Sequence, residues 1–223
     1  MATWIAHLRV AENLLREGLK VEKKAFVAGN IAPDSGVPKE DRSGFEPSAV
    51  ITHWKDESGK IKPENFYDRY LHAINPEEAK DPERYSFLLG YYVHLLTDVE
   101  WSKVYQRKRE ESLYKENLDE NPEFIWEIKK DWYGLDFKYL QEHRESIFFH
   151  CFQHLLEVED YLDYFPKGAF NSRFKYIREM YLKNLAQKER DFIYLSEREM
   201  DAFVVEATRN IQGIFAEKDR AAG

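Results

Sequence analysis

His94 and Asp98 stand four residues apart in GYYVHLLTDVEW, residues 90–101. At that spacing two side chains share one face of a helix, about one turn apart. The neighbours Tyr91, Val93, Leu95, Leu96 and Trp101 predict that this helix is buried. An imidazole and a carboxylate are costly in such a place unless both are satisfied. A hydrogen-bonded core pair would do that, and so would joint ligation of a divalent metal.

Three more residues occupy apolar settings. His7 lies on the apolar side of the first helical segment. Asp34 follows AFVAG and Ile31-Ala32-Pro33, in a loop anchored in the core, and His53 sits between Ile51 and Trp54. Each has an ordinary reading, as a satisfied core histidine or as a turn aspartate capping its own loop. With His94 and Asp98 they supply three imidazoles and two carboxylates, a mixed nitrogen and oxygen set that suits zinc, and also manganese, iron or nickel. His72 and His143 read as surface residues. Spacing excludes several other chemistries. The chain has no Glu-x-x-His for a di-iron bundle, no His-Glu-x-x-His and no adjacent His-Asp pair. It also lacks Gly-x-Ser-x-Gly and a phosphate-cradling glycine loop.

The elements that must position these residues read as helices. Trp4, Leu8, Ala11 and Leu15 recur at three to four residues. Asn75-Pro76, Asp81-Pro82 and Asn121-Pro122 each look like an N-cap followed by proline at the first helical position. Ser196-Glu-Arg-Glu199 is a capping box. Helices are therefore expected near 64–74, 82–108, 122–130, 136–162, 168–188 and 197–217. Residues 30–60, with NIAPDSGVPKEDRSG, read as a long loop. Alternating strand patterns are absent, so the expected fold class is all-α.

Composition sets the outer limits. The 223 residues contain no linker-like stretch or repeat, so one domain, residues 1–223, is expected. Aromatics make up 15% of the chain, ample material for a large core. A net charge of −8 argues against general affinity for nucleic-acid backbones. The single cysteine, Cys151, leaves no intrachain disulfide and fits a reducing compartment. The first residues read as an amphipathic helix rather than a signal peptide, and no apolar run is long enough to span a membrane. A cytoplasmic location follows as the expectation.

An N-terminal helix with a histidine, then Gly-Asn-Ile-Ala-Pro-Asp, Thr-His and Gly-Tyr-x-x-His-x-x-x-Asp-x-x-Trp, taken in order, resembles the zinc-dependent phospholipase C family. That family shares its helical fold with the single-strand-specific nucleases and 3′-nucleotidases. The resemblance covers residues 1 to about 105. It implies that Asp34, His53, His94 and Asp98 surround one metal ion, with Asp98 bridging to a second ion held also by His7. It makes Asp34 the candidate catalytic base. Paired cations lower the pKa of water from near 16 to about 7, so the implied activity is phosphoester hydrolysis, with phospholipid, nucleotide and small phosphoester substrates all open.

The chain also departs from that pattern. The secreted members ligate metal with a mature N-terminal amine; here loss of Met1 before Ala2 would place an amine five residues before His7. The histidine expected for a third metal is replaced by Val104. The nearest substitute for a later His-x-x-x-acid pair is His150 and His154, whose ordinary reading is a helix face packed in the core. Asp131 and Asp136 are weak replacement candidates. Two ions are therefore expected rather than three. The rival class is a helical binding or regulatory module with a structural or sensory metal site.

Overall fold

The computed structural model describes residues 1–41, 43–75, 79–186 and 190–222. Among them the fold is all-α, as expected, apart from one small hairpin. Helix α1 (Trp4–Arg16) and helix α2 (Lys23–Gly29) lead through a 3₁₀ turn (Ala32–Asp34) into that hairpin. Its strands, β1 (Val37–Pro38) and β2 (Phe45–Glu46), pair antiparallel. Then come α3 (Ala49–Thr52), α4 (Pro63–Tyr70), α5 (Pro82–Glu110), α6 (Ser112–Glu120) and α7 (Ile125–Glu142). The chain ends with α8 (Ile147–His150), α9 (Ala169–Asn184) and α10 (Glu197–Ala222).

The cap signals act as the sequence predicts. The Asp81 carboxylate accepts from the Arg84 N–H at 2.9 Å, and the Asn121 side chain accepts from the Glu123 N–H at 3.0 Å. In the capping box Ser196 N–H donates to Glu199 Oε2 at 2.8 Å, and the Glu199 N–H returns to Ser196 Oγ at 3.3 Å. Pro76 of the Asn75-Pro76 signal lies outside the described residues.

Helix α5 is the axis of the molecule. From Ser86 to Trp101 its residues are buried on nearly every side, so it reads as a central helix rather than an amphipathic one. Across it lies α2, at a distance only glycine permits. A Cβ on Gly90 would stand 2.1 Å from the Phe26 carbonyl oxygen, and one on Gly29 would stand 1.9 Å from that of Phe87. Helix α10 offers Met200, Phe203, Val204, Ala207 and Ile211 as a buried stripe. It packs against α1 and α5, with Arg9 Nη2 2.5 Å from Asp201 Oδ1.

Three expectations need correction. The loop of residues 30–60 is not structureless, since it holds the 3₁₀ turn, the hairpin and α3. The stretch between 108 and 122 contains α6, and the next helix runs unbroken through 130–136. The helix expected over 136–162 ends at Glu142; a single turn, α8, follows, and then a 3₁₀ turn (Phe152–His154) and irregular chain. Tertiary partners explain the break. Arg178 on α9 donates to the Gln153 and Leu155 carbonyls at 3.4 and 3.1 Å, and the Asn171 side chain holds both the N–H and the C=O of Val158. These bonds replace the ladder that a continued helix would have used.

Candidate metal centre

Thr3 caps α1, its hydroxyl accepting from the Ala6 N–H at 3.4 Å. The helix it starts carries His7, wholly buried, to the middle of α5. There the His7 ring lies flat on the His94 ring, with centroids 3.8 Å apart and planes inclined by 3°. The glycine-lined crossing brings the end of α2 against the same turn of α5, so that the Asn30 carbonyl meets His94 Nδ1 at 2.8 Å. A carbonyl only accepts, so Nδ1 carries the proton and Nε2 presents a lone pair inward. The 3₁₀ turn delivers Asp34, and the end of α3 delivers His53.

All five expected residues come together. His94 Nε2 lies 3.2 Å from His53 Nε2 and 3.6 Å from Asp98 Oδ2. His53 Nε2 lies 3.4 Å from both Asp98 Oδ2 and Asp34 Oδ1. On the other side His7 Nε2 lies 3.4 Å from Asp98 Oδ1. Two groups of donors result, His7 with His94 and Asp98, and Asp34 with His53 and His94, each within a span of 4.8 Å. Asp98 faces both ways, one oxygen toward His7 and the other toward His53 and His94.

The electrostatics of this cluster fit a cation. Asp98 is fully buried, yet Oδ2 has no hydrogen bond, and Oδ1 receives the Ala2 N–H at 2.7 Å. Neither ring nitrogen of His7 has a hydrogen-bond partner. Burial, reinforced by His94, lowers the His7 pKa to about 4, so the ring is neutral at pH 7. Burial alone would raise the pKa values of Asp98 and Asp34. The chain's amino terminus and the imidazoles outweigh it at Asp98, and the hydrogen bond to His53 outweighs it at Asp34, so both stay ionised. Buried Asp98 and partly buried Asp34 thus face each other across the cluster as two negative charges, beside a His7 ring that is neutral at pH 7. A divalent ion would be favoured between them, and the donor set suits zinc.

The centre is not sealed. A cavity of about 170 Å³ opens onto Asp34 and His53, walled by Trp4, Phe45, Trp132, Tyr133, Lys129 and Arg173 among others. Asp34 Oδ2 accepts from the Trp4 indole N–H at 2.8 Å, which fixes the carboxylate at the cavity edge.

The remaining candidates lie elsewhere. Asp131 accepts from the Tyr194 N–H at 2.6 Å and pairs with Arg190 at 3.1 Å. Asp136 is held by Thr3 Oγ1 at 2.6 Å and by the Tyr181 hydroxyl. Neither belongs to a donor group among the described residues. His150 and His154 were expected to face the core; both are exposed, because the helix carrying them stops at Cys151. His72 is exposed, and the side chain of His143 is half-exposed.

Sequence reasoning missed Trp4 and Asn30. Trp4 reads as one of the apolar repeats, and nothing in helical periodicity marks its N–H. Asn30 acts through its backbone carbonyl, which any residue would supply.

Residues 5–101 match the family model described as zinc dependent phospholipase C. No curated protein and no solved structure matches the chain. The match spans all five cluster residues and supports a metal-dependent, phospholipase C-like hydrolase. Among the described residues no helix is long and apolar enough to cross a membrane.

Proposed function

We propose that this chain hydrolyses phosphoric esters with a dinuclear centre, most simply of zinc, held by His7, Asp34, His53, His94 and Asp98. The observation that carries the reading is two donor groups that share His94, with the two Asp98 oxygens facing His7 on one side and His53 on the other, beside a cavity that opens directly onto Asp34 and His53. A purely structural site is closed by four protein ligands, whereas a catalytic one keeps a face toward substrate.

When bound, two divalent ions would lower the pKa of water and neutralise phosphoryl oxygens. The chain's own part is positional. The Asn30 carbonyl fixes the His94 tautomer so that Nε2 points inward. Asp34, ionised at neutral pH and held by Trp4, accepts a hydrogen bond from the attacking water and serves as the candidate base. Trp132 and Tyr133 shield one wall from solvent. If Met1 is removed, the nitrogen that now reaches Asp98 as an amide becomes an amine at the same place.

The test joins metal content to turnover. Protein purified without a histidine tag should carry close to two equivalents of zinc and cleave bis(p-nitrophenyl) phosphate. A chelator should abolish cleavage and added zinc should restore it. His94→Ala should lose metal, and Asp34→Asn should lose turnover, both with helical circular dichroism retained. Tightly held metal without cleavage of any phosphodiester would instead point to a structural or sensory module.

A further inference from the structure

The cavity beside Asp34 and His53 has an unusual charge balance. The chain as a whole is acidic, with a net charge of −8, yet the walls of this cavity hold two cations, Lys129 on α7 and Arg173 on α9. Asp34 is the one carboxylate among its lining residues. Among the described residues neither cation pairs with any carboxylate at ion-pair distance. Both are partly buried, and burial lowers both pKa values; the charge of Asp34 opposes this in each case, joined at Arg173 by Tyr176.

Arg173 is held in place. Its Nη2 donates to the Gly36 carbonyl at 2.6 Å, and its guanidinium covers the rings of Phe45 and Tyr176, at 5.4 and 5.6 Å from their centroids. Lys129 lies 4.6 Å from the Trp126 ring centroid. Of the cavity's aromatic walls, the Phe45 face is therefore already covered by one of the protein's own cations. A guanidinium has five N–H donors, and one is spent on Gly36. The rest, with the Lys129 ammonium, suit a planar or tetrahedral oxyanion.

We infer that the substrate carries a second anionic group beside the scissile phosphoryl, a phosphate or a carboxylate, and that Lys129 and Arg173 hold it. This rests on the proposed hydrolase reading, in which Asp34 is committed to the metal and leaves both cations without a counter-charge. Esters with a quaternary ammonium in that position are poor ligands.

Calorimetry on the zinc-loaded protein, at fixed ionic strength, tests this without requiring turnover. The ligands are phosphocholine, glycerol phosphate and glycerol bisphosphate. The expected order is bisphosphate tightest and phosphocholine weakest, with about tenfold between bisphosphate and glycerol phosphate. Lys129→Gln should erase that gap and leave glycerol phosphate affinity nearly unchanged; Arg173→Lys should narrow it, and its circular dichroism reports folding. Phosphocholine binding as tightly as the bisphosphate would overturn the inference, as would equal weakening of all three ligands in Lys129→Gln or no binding of any.

Two further arms separate the possibilities. The charge preference without cleavage of any p-nitrophenyl phosphodiester removes the hydrolase reading alone. Cleavage with no charge preference removes this inference alone. Sedimentation with phosphatidylcholine vesicles, with and without phosphatidylinositol phosphate, identifies the source of the anionic group. Retention only on the phosphoinositide vesicles places it on a lipid headgroup; no retention, with glycerol bisphosphate still bound, places it on a soluble ester.

Discussion

Asp136 provides a direct check on the structure through its dependence on pH. Its carboxyl is buried, and burial raises its pKa from 3.8 to about 7, against the hydrogen bonds from Thr3 and Tyr181 that favour the charged form. For an acid whose folded pKa is raised, the native state keeps a proton that the unfolded chain has released. Stability is therefore highest below the unfolded pKa, falls as pH rises between the two values, and levels off above the folded one. At about 1.36 kcal/mol per unit, the two units between pH 5 and the folded value of about 7 amount to about 3 kcal/mol. Asp136→Asn removes the ionisation while keeping an acceptor for Thr3. Urea unfolding of wild type and variant, with a chelator present, should show the variant gaining about 3 kcal/mol on wild type between pH 5 and pH 8. The comparison is needed because His7, with its pKa lowered to about 4, makes stability fall as pH drops below its unfolded value. A stability difference that stays constant across this range would refute the placement of Asp136.

Three further outcomes follow from the geometry. Trp4→Phe keeps the ring but removes the N–H that holds Asp34 Oδ2, so kcat/KM for a phosphodiester should fall about tenfold with zinc content unchanged. Gly90→Ala would drive a methyl group into the Phe26 carbonyl oxygen at 2.1 Å; α2 must retreat, costing about 3 kcal/mol in denaturant unfolding and weakening zinc affinity at least about tenfold as the Asn30–His94 bond lengthens. Gly213→Ala in α10 meets nothing within 4 Å, so the helix should gain about 1 kcal/mol, seen as a rise in Tm of about 3 °C.

The five polar residues of the centre were legible because each broke an apolar pattern, and a buried charge that breaks a pattern needs a partner. Helix ends carried by Asp81, Asn121 and Ser196 were legible for a similar reason, since their signals are local. What escaped was set by distant partners. The chain after Glu142 has helical composition, but Arg178 and Asn171 take its backbone groups for themselves. Gly29 and Gly90 looked like motif letters until the crossing of α2 and α5 gave them a steric reason. Lys129 and Arg173, 44 residues apart on different helices, share no periodicity that would have linked them to the site.

The wiring of α1 also sets an order in time. All five residues of the centre emerge from the ribosome by position 98, but the helix that carries His7 rests on later parts of the chain. Thr3 needs Asp136, Arg9 needs Asp201 and Asn13 reaches Thr208 Oγ1 at 3.4 Å. Trp101, at the end of the family-matched stretch, packs edge-on against Phe203 at 4.9 Å. A growing chain therefore exposes these histidines and aspartates before the partners that fix α1 exist, for some seconds at ordinary rates of synthesis. A fragment ending near residue 101 would hold all five residues and the crossing of α2 and α5 but not the partners that fix α1, so the native spacing of His7 against Asp98 belongs to the last stage of folding.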